Sequence, residues 1–186
     1  MEFFYSKEMI LISLATLGSI ACFDEIYFHQ MKNKMLTQSD CKSENYLHLI
    51  RSFVFSVIFI LISSFWLGGA WAIFVLFLFF IDIFVSIGDI LVEKRSRKTL
   101  GGLSTGEYLT HMLLSFHLGI LYLNLIPKLL EASLSSSSIQ FLKFESFTFL
   151  NFLVLFFGLM TFLYSICQLI FLRKKLVLKR TSVGHL

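Results

Sequence analysis

Charged residues and proline are both scarce in this chain of 186 residues. Charged side chains make up 15% of the sequence, against roughly 25% in ordinary soluble domains, and Pro127 is the only proline. Few residues therefore interrupt the apolar stretches. Because a domain of this size could not hide so much apolar surface from water, the composition excludes a soluble globular protein.

Cysteine is scarce as well, and the three cysteines, Cys22, Cys41 and Cys167, show no C-x-x-C spacing. Reduced thiols are their expected state. The H-E-x-x-H motif and the H-x-x-x-H boxes of membrane desaturases are absent, and Gly101-Gly102 lacks the Gly-Lys-Ser/Thr ending of a P-loop. Function therefore has to be argued from residue types and their spacing.

Apolar residues account for 56% of the sequence, with 23 phenylalanines and a mean hydropathy of +0.79. Several runs approach or exceed the ~20 residues that a helix needs to cross a membrane, and they lack the alternation of barrel strands. We predict an all-α integral membrane protein, a single domain over residues 1–186 built as a five-helix bundle. The spans lie at about 4–29, 46–67, 70–93, 107–126 and 147–172, and a basic tail follows at 173–186.

Three expectations concern the connections between these spans. Gly68-Gly69 alone joins the second and third spans, which predicts a tight antiparallel hairpin. Pro127 is expected to end the fourth helix, because proline removes a backbone donor and crowds the preceding turn. The serine run at 135–138 is expected to be a plain linker.

Lysine and arginine predict the orientation of the bundle. They gather in the first connection, the third connection and the tail, which fall on one side if five spans alternate. By the positive-inside rule that side is cytoplasmic, so the N-terminus lies outside and the C-terminus inside. The net charge of +4 is thus a topology signal and does not indicate a nucleic-acid partner. The expected location is a bacterial cytoplasmic (inner) membrane.

Ionisable side chains concentrate at the cytoplasmic ends of the first four helices. In four pairs the two members are spaced i, i+4 and share a helix face. The pairs are Glu25 and His29, Glu44 and His48, Asp89 and Glu93, and Glu107 and His111. Each ionisable group in a membrane costs roughly 2.5–3.5 kcal/mol, so their concentration favours a function that offsets this cost. We expect these residues to converge in the cytoplasmic half of the bundle.

Carboxylates and imidazoles that converge inside a helix bundle are the ligands of carboxylate-bridged di-metal sites. Mixed oxygen and nitrogen ligation suits Fe, Mn or Zn. The predicted metal ligands are Glu25, His29, His48, Asp89, Glu93, Glu107 and His111. Asp24 and Asp82 are the candidate catalytic bases or supporting groups. The candidates for holding a substrate or a lipid headgroup are Arg51, Arg95, Arg97, Lys98 and His117.

His117 has a second predicted role. It lies about 9 Å further along its helix than His111, a position from which it would meet Asp82.

Several of these residues also have a purely structural interpretation. Glu107 follows Ser104 at capping-box spacing, and Glu44 is similarly placed to close a helix N-terminus. Asp24 and Glu93 stand at the predicted membrane boundary, where they would face headgroups or solvent. The basic third connection is equally a stop-transfer and orientation signal.

The favoured function is a metal-dependent membrane oxidoreductase or hydrolase that acts on a lipid or another hydrophobic substrate at the cytoplasmic leaflet. A proton- or cation-coupled transporter is the first alternative, with Asp82, Asp89 and His117 along its pathway. A b-type haem protein with two histidine ligands is the second. A membrane subunit without chemistry of its own is the third.

Overall fold

Five long helices dominate the computed structural model, which describes residues 7–143, 145 and 147–183, with side chains described as far as 174. They are α1 (Lys7–Phe23, continued by a π-helical segment, Asp24–Lys32), α2 (Lys42–Ser64), α3 (Ala70–Ser96), α4 (Thr105–Ser133) and α5 (Phe149–Val183). Each is long and apolar enough to span a membrane. The prediction of five membrane-type helices is confirmed.

The helix bounds differ from the predicted ones mainly at the polar ends. α2 begins at Lys42 instead of 46 and α3 continues to Ser96 instead of 93, so both helices carry their acidic residues on regular backbone. α5 continues through the predicted tail to Val183. The predicted start of the first span at residue 4 and the end of the tail, 184–186, lie outside the described residues.

α1 changes to a wider winding at Asp24. From Asp24 to Lys32 the backbone follows a π-helix, whose hydrogen bonds join residues five apart. In an α-helix, residues five apart would point about 140° away from each other. The wider turn instead places Asp24 and Glu25 on the side of His29, and all three face the bundle interior or its edge.

Pro127 does not end the fourth helix as predicted, because α4 runs through it to Ser133. Membrane helices tolerate an internal proline where neighbouring groups satisfy the freed backbone atoms. α4 ends where another segment holds it: the carbonyl of Ala132 accepts a hydrogen bond from the backbone of Gly69 at 2.9 Å.

The α2–α3 connection and the serine run pair with each other, so the serine run is not the plain linker that we predicted. β1 (Phe65–Gly68) and β2 (Ser138–Phe141) form a two-stranded antiparallel sheet. Gly69 follows β1 with a φ of 54°, and a Cβ there would lie 2.6 Å from the backbone of Ser137. The glycine pair therefore permits this close approach as well as the turn between the helices.

The apolar core fills the half of the bundle next to this sheet. Each helix contributes fully buried side chains, among them Leu14, Ile58, Val75, Leu121 and Val154. The other end of the bundle is formed by the carboxyl ends of α1 and α3 and the amino ends of α2 and α4. There the buried side chains become polar and charged.

Candidate metal centre

Seven ionisable side chains form a continuous alternation of carboxylates and imidazoles at the polar end of the bundle. In spatial order they are Asp89, His48, Glu25, His29, Asp24, His111 and Glu93. Each neighbouring pair places a ring nitrogen and a carboxylate oxygen 3.2–3.7 Å apart. Every one of the three imidazoles therefore has a carboxylate near both of its nitrogens. We call this series the carboxylate–imidazole chain.

The π segment supplies the middle of the chain. Glu25 Oε2 lies 3.2 Å from His29 Nδ1 and 3.7 Å from His48 Nδ1. Asp24 Oδ2 lies 3.4 Å from His29 Nε2 and 3.4 Å from His111 Nε2. Two carboxylates that are adjacent in sequence thus lie against opposite nitrogens of one ring. Asp24 is 5% exposed, so it does not face the headgroups.

The two ends of the chain come from α3. His48 Nε2, on α2, lies 3.3 Å from Asp89 Oδ2, and His111 Nδ1, on α4, lies 3.6 Å from Glu93 Oε1. The side chain of Glu93 is half-buried and is directed toward His111. Asp89 and Glu93 share one face of α3 because they are four residues apart.

Three groups of side chains bring one ligand atom each to within 4.8 Å of the others. The groups are Asp24–His29–His111, Glu25–His29–His48 and Glu44–His48–Asp89. Glu93 and Glu107, also predicted as ligands, lie beside these groups at 3.6 Å from His111 and 3.7 Å from His29. These carboxylate and histidine groups could hold a metal ion.

Several nitrogen–oxygen spacings in these groups suit a shared ion. Metal–ligand bonds of about 2.0–2.2 Å imply ligand-to-ligand separations of roughly 3.0–3.5 Å around an octahedral or tetrahedral ion. The spacings of Asp24 to His29 and to His111, both 3.4 Å, and of His48 to Asp89, 3.3 Å, lie within that range. Asp24 Oδ1, Asp89 Oδ1 and His48 Nε2 are buried without a hydrogen-bond partner among the described residues.

The cluster is strongly negative unless protons or cations compensate it. Its carboxylates are Asp24, Glu25, Glu44, Asp89, Glu93 and Glu107. With neutral imidazoles, six negative charges against the one guanidinium that contacts them, that of Arg97, leave five. Buried charges persist only when they are paired or bind a metal. Two divalent cations would neutralise four of the five.

Arg97 was predicted to hold a substrate or a lipid headgroup. It lies instead inside the bundle, with its side chain 1% exposed. Its Nε donates to Glu44 Oε1 at 2.8 Å, and its Nη1 lies 2.7 Å from Glu107 Oε1. Burial by itself would lower the pKa of Arg97, but the charges of Glu44 and Glu107 and their hydrogen bonds raise that pKa above its ordinary value. Arg95 and Lys98 are exposed.

Glu44 and Glu107 are not helix caps. Ser104, at the N-cap of α4, makes no side-chain cap hydrogen bond, and Glu107 instead accepts from Asn33 Nδ2 at 3.2 and 3.3 Å. Glu44 accepts from the hydroxyl of Ser96 as well as from the guanidinium. Both carboxylates are buried. Their role is internal, and the capping interpretation is wrong.

Asp82 belongs to a separate polar contact, about 10 Å from Asp89 along α3. Its fully buried carboxylate accepts hydrogen bonds from Arg51 Nε at 3.1 Å and from the Tyr122 hydroxyl at 2.8 Å. It does not meet His117, whose Nδ1 lies 2.9 Å from the carbonyl of Leu113 in its own helix. With one donor on each oxygen, Asp82 lies outside the three ligand groups.

Sequence reasoning missed the contribution of α5. The Tyr164 hydroxyl donates to Glu25 Oε1, and Gln30 Nε2 donates to the same oxygen at 2.7 Å and to Tyr164 at 2.9 Å. Glu25 is therefore held from two elements besides its histidine contacts. The available signal was a polar stripe on α5 at spacings of three and four, which mark one helix face. It consists of Thr161, Tyr164, Ser165 and Gln168.

A cavity of about 260 Å³ opens beside the centre, between α1, α2, α4 and α5. Asp24, Glu25, His48 and Arg51 contribute to its polar end. Most of its remaining wall is apolar, including several phenylalanines. The centre thus borders a space that could admit an apolar molecule.

No protein-family model, no curated protein and no solved structure matches this chain. The function therefore has to be argued from the geometry of the carboxylate–imidazole chain and of the cavity beside it.

Proposed function

We propose that this chain is an integral membrane enzyme that depends on divalent metal ions and acts on a lipid or another hydrophobic substrate. The observation that carries the proposal is the carboxylate–imidazole chain, in which three histidines each lie between two carboxylates. Oxygen and imidazole ligands of this kind suit Fe, Mn or Zn. Metal ions would also offset the cost of so many carboxylates at membrane depth.

Two ions fit, because two of the three ligand groups share no residue. A neutral imidazole offers one free nitrogen to a metal, so neither His29 nor His48 can serve two groups at once. The first independent group is Asp24, His29 and His111; the second is Glu44, His48 and Asp89. The two groups would form a di-metal centre without a shared ligand.

Glu25 then has a role other than the direct ligation that we predicted. It lies between the Nδ1 atoms of His29 and His48, the nitrogens that face away from the two independent groups. Accepting a hydrogen bond from each would leave both Nε2 atoms unprotonated and would orient both rings. At His29 a metal would take the place of the contact between Nε2 and Arg97 Nη2, which are 3.3 Å apart. Tyr164 and Gln30, which donate to its other oxygen, hold this carboxylate in place.

The identity of the metal decides the reaction class. Iron would supply oxidation of the substrate, whereas zinc or manganese would supply an activated water or a polarised phosphoryl group. The protein contributes a largely buried ligand set beside an apolar cavity. The positive-inside rule places this end of the bundle at the cytoplasmic leaflet, with the exposed Arg95 and Lys98 near the headgroups.

The test is metal analysis of purified, metal-replenished protein. Wild type is expected to hold about two ions per chain, and His29→Ala and His111→Ala to lose about one each. The matched control is His117→Ala, which removes an imidazole from the same helix as His111 but outside the ligand groups. Less than one ion in wild type, or equal metal in wild type and His29→Ala, would overturn the proposal.

A proton- or cation-coupled transporter is the second candidate function, and the deeper contact of Asp82, Arg51 and Tyr122 is the observation that favours it. This contact continues the line of ionisable groups from Asp89 toward the middle of the bundle. Proton flux into liposomes that disappears in Asp82→Asn, from a protein that binds no metal, would establish this function instead.

The haem alternative fits the geometry poorly. The rings of His29 and His48 lie 4.5 Å apart between centroids, which leaves no room for a porphyrin plane. Asp24 occupies the space between the Nε2 atoms of His29 and His111.

A further inference from the structure

We infer that the cavity beside the metal centre binds one long alkyl chain, with the segment that reacts lying against Glu25 and His48. This inference rests on the proposed function, because the alkyl chain is offered as part of the substrate of that centre. It adds a substrate class and a binding site that the metal ligands alone do not specify.

The shape and lining of the cavity suit an alkyl chain. A dry apolar cavity of about 150 Å³ already accommodates a benzene-sized guest, and this one measures about 260 Å³. Its wall includes Leu17, Phe55, Phe59, Phe157 and Met160. Between His48 and Phe59, both on α2, it extends on the order of 15 Å at 1.5 Å per residue. An apolar space of this length favours an extended alkyl chain over a polar molecule.

The polar end of the cavity is part of the metal centre. Asp24 and His48 line the cavity and also belong to the two independent ligand groups, and Glu25, which lines it as well, lies between His29 and His48. An occupant of the apolar part therefore has one end or one bond next to the groups that would hold the metals. This juxtaposition distinguishes the cavity from an ordinary lipid-facing groove, which has no reactive end.

The cavity also opens to the side that lipid occupies. Ala21 on α1 is exposed, and Met160 on α5 is 45% exposed, although both line it. Both residues lie within membrane-type helices. An alkyl chain could therefore enter between α1 and α5 directly from the bilayer, without passing through water.

Gly18 lines the cavity where α1 packs against two phenylalanines that line it as well. It lies six residues before Asp24, about 9 Å along α1, and its Cβ would stand 3.0 Å from the Phe157 ring and 3.2 Å from the Phe59 ring. A larger side chain there would have to displace one of these rings, because the contacts leave no free space for it. Gly18 has no contact with the metal ligands among its nearest neighbours, so a substitution there tests the cavity separately from the metal centre.

The experiment is photo-crosslinking in vesicles of phosphatidylethanolamine and phosphatidylglycerol. Two probes carry a diazirine in a palmitoyl chain, one as the free fatty acid and one as phosphatidylglycerol. Mass spectrometry is expected to find adducts at the cavity residues Leu114, Phe157 and Met160 in excess over Phe77 and Phe80, which are exposed on α3. The ratio of the two probes identifies whether a free acid or an intact lipid is the occupant.

The variants and controls are matched in chemistry. Gly18→Val is expected to lower the cavity adducts about tenfold or more. The valine would push the Phe157 or Phe59 ring into the cavity, and inserting an alkyl chain into the remaining space would be unfavourable. Gly119→Val makes the same change in a membrane helix at a position where a Cβ has no atom within 4 Å, and it should leave the adducts unchanged. Met160→Trp is the second filling variant, which keeps the test decisive if Gly18→Val does not fold.

Adducts spread evenly over the outer surface, or cavity adducts that persist in a folded filling variant, would overturn the inference. Metal content measured on the same samples separates this failure from that of the proposed function. A protein that holds two ions but shows no cavity adduct would keep the metal centre and lose the alkyl-chain site. A metal-free protein with specific adducts would show a lipid-binding site without the enzyme.

Discussion

Among single residues, Arg97 joins two of the buried carboxylates at the polar end. Its guanidinium contacts Glu44 on α2 and Glu107 on α4 while its own backbone directly follows α3. All three side chains are at most 1% exposed. Such a triad adds little net stability over an apolar replacement, but the loss of one member leaves an uncompensated buried charge. A substitution of Arg97 therefore tests whether this basic residue stabilises the fold from inside the bundle, unlike the exposed basic residues beside it.

Arg97→Gln is expected to lower the free energy of unfolding by about 3–5 kcal/mol, since two carboxylates lose their cation in a buried site. The matched control is Arg95→Gln, two residues away and exposed, which should change stability by no more than about 0.5 kcal/mol. Unfolding in mixed detergent micelles measures both. Equal stability of the two variants would contradict the internal role of Arg97.

The residue types and the i, i+4 spacing predicted that carboxylates and histidines of four helices lie together, but they did not predict that Arg97 lies among them or which partner each side chain finds. Glu107 and Glu44 have helix-start positions that suit a cap equally well, and only the tertiary structure brings Arg97 between them. Tyr164 was missed for a related reason. A tyrosine in an apolar helix presents mostly apolar surface. The sequence alone does not show that its hydroxyl lies opposite Glu25 and donates to it.

At the scale of elements, the π segment decides the geometry of the centre. Its winding gives His29 a carboxylate on each ring nitrogen from residues four and five positions earlier. π turns arise as local insertions in helices and are frequent at functional sites. One residue turns a helix by roughly 80–100° in either winding. Inserting one residue between Glu25 and His29 should therefore rotate both carboxylates away from that imidazole.

Insertion of one alanine between Tyr27 and Phe28 is expected to reduce the bound metal to about half or less, because the Asp24–His29–His111 group is taken apart. Tyr27→Ala keeps the chain length and removes only a 44% exposed ring, so it should bind metal as wild type does. Metal analysis of both purified variants makes the comparison. Wild-type metal content in the insertion variant would show that the spacing within the π segment is dispensable.

Hydropathy predicted the five helices because a membrane-spanning helix needs a long apolar run, irrespective of the helices against which it packs. The same reasoning failed at Pro127 and at the serine run, where contacts between distant segments decide the outcome. The backbone of Gly69 binds the end of α4, and β1 pairs with β2. A local propensity for a turn or a linker carries no information about such contacts.

At the scale of the whole molecule, the two ends of the bundle are built differently. The end that carries β1 and β2 is tied by backbone hydrogen bonds around an apolar core, whereas the other end holds the carboxylate–imidazole chain. The exposed basic residues Arg95 and Lys98 adjoin that second end. The positive-inside rule applied to these residues predicts that this end faces the cytoplasm, and that prediction can be tested directly.

Two single-cysteine variants test that orientation in a background from which Cys22, Cys41 and Cys167 have been replaced by alanine. Thr99→Cys lies in the exposed turn beside Lys98, and Ser136→Cys lies in the exposed segment before β2. In intact cells a membrane-impermeant maleimide is expected to label the cysteine at 136 and to label the cysteine at 99 only after permeabilisation, since the positive-inside rule predicts that the basic turn faces the cytoplasm. The reverse pattern would place the carboxylate–imidazole chain and the mouth of the cavity at the outer leaflet. The geometry of the chain would be untouched by that result, because it depends on contacts among helices α1 to α4, but the proposed substrate would then have to come from the opposite leaflet.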